Sequence, residues 1–218
     1  MILGIYGSGG LSREILDMVM GSYNNTWDKI VFISDFKKKH VISGIDVFNW
    51  EEFTKIYSTN DAKIVISVGE PKIRKELREI VTVGGYKLQT LIHPSSFTGT
   101  ETHIGDGVVI QFGCFISCNV NVGDNALFQP HSSAGHDSII GSDSVISSFV
   151  SISGACSIGD QVYIGMNVPV KEKINIGTES IIGMGSVVLR DIPENVIALG
   201  NPARAIKDNE SGYVFTQR

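Results

Sequence analysis

The sequence predicts a small α/β unit of parallel strands and helices joined to a long triangular coil of short parallel β-strands. Three observations predict it. Isoleucine or a close substitute recurs every six residues, in one register, from Ile104 to Val188, and only Phe128 and Ala134 leave the Ile/Val class among those 15 positions. Glycine follows that residue at Gly105, Gly123, Gly141, Gly159 and Gly177, a spacing of 18. Before the periodic stretch, roughly ninety residues alternate between short apolar runs and amphipathic segments.

A period of six is neither the 3.6 of a helix nor the 2 of an ordinary strand, and a fixed period points to a repeat architecture. Each hexapeptide makes one flat face and one corner. The Ile or Val points inward and stacks on the residue 18 later. Small or β-branched residues four positions on, such as Val108, Cys114, Ala126, Ser138 and Cys156, fit the tight corners. Gly-Asp and Gly-Asn pairs are expected to supply left-handed turn conformations. Successive coils pair about 4.8 Å apart.

In the first part, Ile2–Tyr6 reads as a buried strand, and Gly7-Ser8-Gly9-Gly10 then opens a helix over Ser12–Met20. Lys29–Ser34 is a second strand, Trp50–Tyr57 a helix and Lys63–Val68 a third strand. Glu70–Val83 is a charged amphipathic helix, and Lys87–Ile92 a fourth strand. Alternation of this kind means a parallel sheet with helices on its faces. Ligands bind such sheets at the carboxyl ends of the strands. Those ends carry Gly7 to Gly10, Ser34-Asp35 and Gly69. A glycine-rich turn that opens a helix brings backbone N–H groups to phosphate oxygens. The glycines do not form G-x-G-x-x-G in frame and the sheet is expected to be small, so a single nucleotide is expected rather than a dinucleotide.

The composition excludes several classes. A formal charge of −5 without a basic cluster argues against nucleic acid. No apolar run approaches the roughly 20 residues of a membrane span. Met1-Ile2-Leu3-Gly4 lacks the basic start and longer apolar run of a signal peptide. Of three cysteines, Cys114 and Cys156 fall on the small-residue position, so core thiols in a reducing cytoplasm are expected. No His/Cys/Asp cluster has metal-ligand spacing, and no metal is expected.

The tandem hexapeptides resemble those of the hexapeptide-repeat acyltransferases, and the acyl transfer this resemblance implies needs a base, oxyanion donors and a groove for the acyl carrier. His131 and His136 lie close together in Gln129-Pro130-His131-Ser132-Ser133-Ala134-Gly135-His136-Asp137. His136 is the candidate base. An imidazole titrates near neutral pH, about 6.5 when unperturbed, and the neighbouring Ala134-Gly135 leave room for a substrate. Asp137 would orient the ring, which requires a corner conformation, because strand neighbours point to opposite faces. The oxyanion donor is expected on the next coil, at Gly154. His131 either contacts the acceptor or packs across a subunit boundary.

The tandem hexapeptides resemble the hexapeptide-repeat acyltransferases, which fold as a left-handed parallel β-helix. An α/β, Rossmann-like unit fused to such a coil, with the closing Gly200-Asn201-Pro202-Ala203-Arg204, is similar to the sugar O-/N-acyltransferases of the sialic-acid O-acetyltransferase type. Bacterial enzymes that N-acetylate nucleotide-linked 4-amino-4,6-dideoxy sugars belong there. The resemblance implies three regions: a nucleotide-sugar-binding domain over residues 1–92, a β-helix with closing segment over 93–206, and a tail over 207–218. It implies Gly9 and Gly10 on phosphate, Asp35 on ribose or base, and Ile66 and Gly69 lining the base, with Gly7, Ser8, Leu11 and Ser34 also in the substrate site. Leu11 stands where many relatives have a histidine. The catalytic histidine of the family lies where His136 does, before a carboxylate and a hydrophobic-Gly pair. The resemblance also implies acetyl-CoA along Val145, Gly165, Met166, Gly183, Met184, Gly200 and Arg204, in a cytoplasmic homotrimer with sites between subunits. Lys171, Lys173, Arg190, Arg204 and Lys207 are the cations available to its phosphates.

The expected activity is therefore acetylation of the 4-amino group of a nucleotide-linked amino sugar for surface-glycan synthesis. The competing readings are O-acetylation of sialic acid or a related sugar, and a non-catalytic nucleotide-sugar-binding scaffold. A metal enzyme of the γ-carbonic-anhydrase type needs three metal-binding histidines, and His131 and His136 fall short.

Overall fold

The computed structural model describes residues 1–23, 26–35 and 40–215. Its first part is a sheet of six strands with order β3-β4-β2-β1-β5-β6. In chain order these elements are β1 (Ile2–Tyr6), α1 (Gly10–Ser22), β2 (Lys29–Ile33), β3 (Val41–Ile42), β4 (Ile45–Phe48), α2 (Trp50–Ile56), β5 (Ala62–Ile66), α3 (Pro71–Val83) and β6 (Lys87–Leu88). All pairings are parallel except β3 with β4. The sheet is larger than the expected four strands, because the short hairpin of β3 and β4 adds to its edge.

β1 lies between β2 and β5, so the strand order reverses there. The carboxyl ends of β1 and β5 then form the crevice in which open α/β sheets take their ligands. Asn49 caps α2 by accepting from Glu52 N at 2.8 Å, and Glu52 returns a carboxylate oxygen to Asn49 N.

The expected fourth strand over Lys87–Ile92 divides in two. Lys87–Leu88 pairs with β5, whereas Leu91–Ile92 pairs with Val109–Ile110 and is already the first rung of the coil. The hexapeptide register thus starts before Ile104. Three faces follow. The first runs through the rungs at 91–92, 109–110, 127–128, 145–146, 163–164 and 181–182, and closes with Val196–Gly200 and the antiparallel Ala203–Asp208. The second runs through 97–98, 115–116, 133–134, 151–152 and 169–170, and the third through 103–104, 121–122, 139–140, 157–158 and 175–176. The inward residues form one buried column down the prism, including Ile110, Phe128, Ile140, Ile146, Ile158 and Ile164.

The corner glycines behave differently from expectation. The left-handed residue stands two positions later, at Gly107, Asn125, Asp143, Gln161 and Glu179, with φ between +55° and +74°. Gly123 has no positive φ; a Cβ there would lie 2.6 Å from Ser142 N and 3.0 Å from the Gly141 carbonyl carbon. Glycine recurs at this corner because the next coil's backbone passes too close for a side chain.

The first face is apolar on both sides. Its outward residues Leu91, Val109, Leu127 and Val145 pack with Leu3, Ile5, Ile15, Leu16 and Val19. Helix α1 is thereby sandwiched between sheet and coil. A polar joint reinforces the packing. Arg78 on α3 forks onto Asp143, with Nε–Oδ1 at 2.9 Å and Nη2–Oδ2 at 2.7 Å. Arg74, fully buried, donates to the Asn125 carbonyl and its side-chain oxygen. Burial lowers the Arg74 pKa to about 10, against the opposing pull of Asp143, so it remains a cation at neutral pH.

The tail docks at the start of α3. Both Glu70 carboxylate oxygens accept from Val214 N, one also accepts from Phe215 N, and Phe215 meets Tyr163 edge-on. Among the described residues no helix is long and apolar enough to cross a membrane.

Candidate active site

His136 and Asp137 occupy the corner between the second and third faces. Asp137 takes a left-handed conformation, φ +61°, so that both side chains emerge on the same side. This is the corner conformation the pairing needs. His136 Nδ1 lies 2.7 Å from Asp137 Oδ2. Asn119, one coil earlier at the same corner position, donates Nδ2 to the other carboxylate oxygen at 2.7 Å. Those two bonds, His136 first, hold the Asp137 carboxyl below the usual carboxylate range. With Nδ1–H donated to the carboxylate, Nε2 is left as the acceptor. Sequence reasoning missed Asn119, although the 18-residue period places it opposite Asp137.

Nε2 faces the next coil. A Cβ on Gly154 would stand 2.6 Å from it, so only glycine leaves the ring in this position. Ala155 N donates to the His136 carbonyl at 2.7 Å and fixes the two coils in register. Among the described residues the Gly154 N–H has no hydrogen-bond partner, while its carbonyl accepts from Lys173 N. A proton acceptor and a backbone donor thus stand side by side on a half-open corner, the exposure of the His136 side chain being 63%.

His131 is not brought beside His136. It lies at the other end of the Ser133–Ala134 rung, at the corner between the first and second faces. There its ring stacks on Phe149 at 5.2 Å and meets Phe112 edge-on at 5.1 Å. Gly165, Met166, Gly183 and Met184 continue this same corner, with Met166 and Met184 exposed. Gly200 has φ +104° and receives Ser186 Oγ as acceptor for its N–H at 3.1 Å, and Arg204 is exposed. These residues therefore gather away from His136 within one chain. Val145 departs from expectation: it is 1% exposed beneath α1 and offers no surface to a ligand.

At the sheet's carboxyl edge, Gly7 has φ +133°, and a Cβ there would meet the hydroxyls of Ser67 and Ser12. Ser12 and Ser67 are 2.8 Å apart, Ser67 donates to the Tyr6 carbonyl, and Gly9 N donates to Ser12 Oγ at 3.1 Å. Ser8 reaches Ser34 at 2.9 Å. Gly9 and Gly10 border open space, since a Cβ at either meets nothing within 4 Å. Asp35 accepts from Tyr6 Oη at 2.6 Å and from Trp50 N at 2.8 Å. Burial and the Asp35 charge push the Tyr6 pKa up, so Tyr6 stays a donor. Leu11 lies against Gly69. Ile66 also departs from expectation: its side chain is fully buried among Tyr6, Ile64 and Phe53, and only its backbone borders the crevice. Among the described residues no group of three His, Cys, Asp or Glu is placed to hold a metal ion.

Comparison with known proteins gives the following matches. Residues 3–81 match the PglD N-terminal domain. A relative named GDP-perosamine N-acetyltransferase, from Escherichia coli O157:H7, is 28% identical over 139 residues, and the match spans 62% of this chain and 62% of that protein. The acetyltransferase domain of PglB from Neisseria gonorrhoeae FA1090 superposes with a TM-score of 0.89 at 25% identity, covering 94% of this chain and 99% of that one. PerB from Caulobacter crescentus, solved in complex with CoA and GDP-perosamine, superposes at 0.85 with 24% identity, covering 94% and 97%. By sequence over residues 3–81 and by fold over nearly the whole chain, the protein thus resembles the nucleotide-linked amino-sugar N-acetyltransferases of hexapeptide type, an α/β N-terminal domain followed by a left-handed parallel β-helix.

Proposed function

We propose that this protein transfers acetyl from acetyl-CoA to the 4-amino group of a nucleotide-linked 4-amino-4,6-dideoxy sugar. The observation that carries the reading is the His136–Asp137 pair, with Nε2 poised over Gly154. The neutral amine attacks the thioester carbonyl. Nε2 of His136 takes the proton released as the C–N bond forms, and Asp137 stabilises the resulting imidazolium. The Gly154 N–H donates to the developing oxyanion. When the tetrahedral adduct collapses, the C–S bond breaks and CoA leaves as its thiol, with the proton returned from His136. No acyl-enzyme is needed.

The nucleotide is held in the crevice at the ends of β1 and β5, with the Gly10 N–H group on the diphosphate at the start of α1. The exposed Met166 and Met184 and the glycines beside them suit the pantetheine arm of CoA. Because that corner and the His136 corner are distinct in one chain, the site is completed between copies, in a homotrimer. The protein acts in the cytoplasm on a precursor of a surface polysaccharide or glycan. The relative's substrate makes a GDP-linked amino sugar the first acceptor to test.

The test is CoA thiol release from acetyl-CoA with GDP-, UDP- and dTDP-linked 4-amino-4,6-dideoxy sugars, and with sialic acid beside them. Turnover with one nucleotide sugar, abolished in His136→Ala while acetyl-CoA still binds, is expected. Turnover with sialic acid alone, or near-native rates in His136→Ala, overturns the reading.

A further inference from the structure

Arg74 is the largest fully buried side chain among the described residues, and the mechanism does not use it. Its guanidinium has two sets of partners. On one side Nε and Nη2 donate to the Asn125 carbonyl, and Nη2 also donates to Asn125 Oδ1 at 2.8 Å. Asn125 answers by donating Nδ2 to the Arg74 carbonyl at 3.0 Å and to Asp143 Oδ1 at 2.7 Å. On the other side Nη1 donates to the Val68 carbonyl at 2.8 Å and to the Ile66 carbonyl at 3.2 Å. One planar fork therefore ties a left-handed corner of the coil to the segment that leaves β5.

That segment borders the crevice assigned above to the nucleotide. A trans peptide points its C=O and the following N–H in opposite directions. With the Ile66 carbonyl turned to Arg74, Ser67 N faces the other way, and it bonds to Tyr6 O at 2.8 Å. By the same geometry, turning the Val68 carbonyl to Arg74 turns the Gly69 N–H away from Arg74, and Gly69 itself borders Leu11 at the start of α1, since a Cβ built on it would stand 4.0 Å from the Leu11 side chain. We propose that Arg74 is a positioning residue for nucleotide-sugar binding: from its seat on the coil it fixes the 66–70 segment so that the Gly69 N–H is presented to the nucleotide. This rests on the crevice being the nucleotide site.

Arg78 supplies the control. It joins the same helix to the same corner through Asp143 but touches neither carbonyl of the segment. Arginine's five donors are also the reason lysine is no substitute: an ammonium has three donors and no planar fork.

The test is calorimetric titration of the full chain with GDP, UDP and dTDP, and separately with acetyl-CoA. For the nucleotide that binds the native chain, Arg74→Lys is expected to raise Kd about tenfold or more, the equivalent of one lost hydrogen bond. Acetyl-CoA affinity stays within about twofold, and kcat at saturating sugar falls less than KM rises. Arg78→Ala keeps near-native nucleotide affinity. Should Arg74→Lys fail to fold, Asn125→Gly keeps the left-handed corner and the carbonyl while removing the side-chain clamp, and is expected to weaken nucleotide binding severalfold. Native affinity in Arg74→Lys, or an equal loss in Arg78→Ala, overturns the positioning role. A native chain that binds none of the three nucleotides overturns the assignment of the crevice itself, and the inference with it.

Discussion

Replacing Gly154 with alanine separates the site from the scaffold. An added Cβ would lie 2.6 Å from His136 Nε2, 2.7 Å from Cε1 and 3.1 Å from Cδ2. Carbon contacts are comfortable at about 3.5–4.0 Å, so the ring must retreat by about 1 Å. The Nδ1–Oδ2 separation of 2.7 Å then opens past hydrogen-bonding range, and Nε2 leaves its place beside the Gly154 N–H. A misplacement of about 1 Å is worth about a hundredfold in rate. The fold should barely notice. Gly154 has no positive φ, and the displaced imidazole is exposed. We expect kcat for thiol release to fall about a hundredfold with Tm within about 2 °C of native. Gly123→Ala is the contrast, because its Cβ meets Ser142 N and the Gly141 carbonyl carbon, which are backbone and cannot swing aside. That overpacking costs about 1–3 kcal/mol. A Gly154→Ala protein with kcat within threefold of native, or one that loses as much Tm as Gly123→Ala, would refute the reasoning.

Asp137→Asn should lower kcat at least tenfold with little change in acetyl-CoA KM, since asparagine tolerates φ +61° but cannot stabilise an imidazolium. The Asp137 pKa is depressed, by His136 first and Asn119 second, so its contribution to stability is present above an ordinary Asp value of about 4 and lost as pH falls through the folded value; thermal melts should show the native-minus-variant Tm difference shrinking below pH 4. Glu70 has the opposite sign. Burial raises its pKa, only partly offset by the Phe215 and Val214 N–H groups, so the protonated form favours the fold and ionisation costs stability as pH rises through the folded value. Glu70→Gln should therefore match or exceed native Tm at pH 7, with the difference closing near pH 4. In the coil core, Ile158 is 1% exposed between Ile140 and Ile176, and Ile158→Ala should cost about 2–5 kcal/mol in chemical denaturation.

The six-residue register needed no tertiary information, because each inward residue is dictated by the one 18 positions away, and the structure stacks Ile140 on Ile158 on Ile176 as that period requires. The outward positions carry a second message. Val109, Leu127, Val145, Tyr163 and Ile181 are apolar or aromatic throughout one face, whereas the other two mix Phe97, Phe115 and Ile139 with Ser133, Ser151, Pro169, Asn121, Ser157 and Asn175. That asymmetry told which face lies under α1, and it would have removed Val145 from the CoA residues.

His136 and Asp137 were legible as a pair because a corner is the one place where neighbours can meet, and the period named Gly154 as the residue beneath. The purpose of the corner glycines was not legible. Gly105 and Gly123 look like turn residues, but what forbids a side chain there is the backbone of the next coil, a contact between residues far apart in sequence. Ile66 is ambiguous in the sequence for the same reason, since a strand-end isoleucine reads alike whether it faces a ligand or the core.

The sequence alone determined the alternation of the first part, the triangular coil and the pairing of an imidazole with a carboxylate at one of its corners, because these follow from periodicity and residue type. Only the tertiary structure decided that Arg74 and Arg78 tie α3 to Asn125 and Asp143, and that Val214 and Phe215 dock on Glu70. Those facts depend on how one repeating surface meets a non-repeating one, and no local pattern encodes the angle at which two such bodies pack.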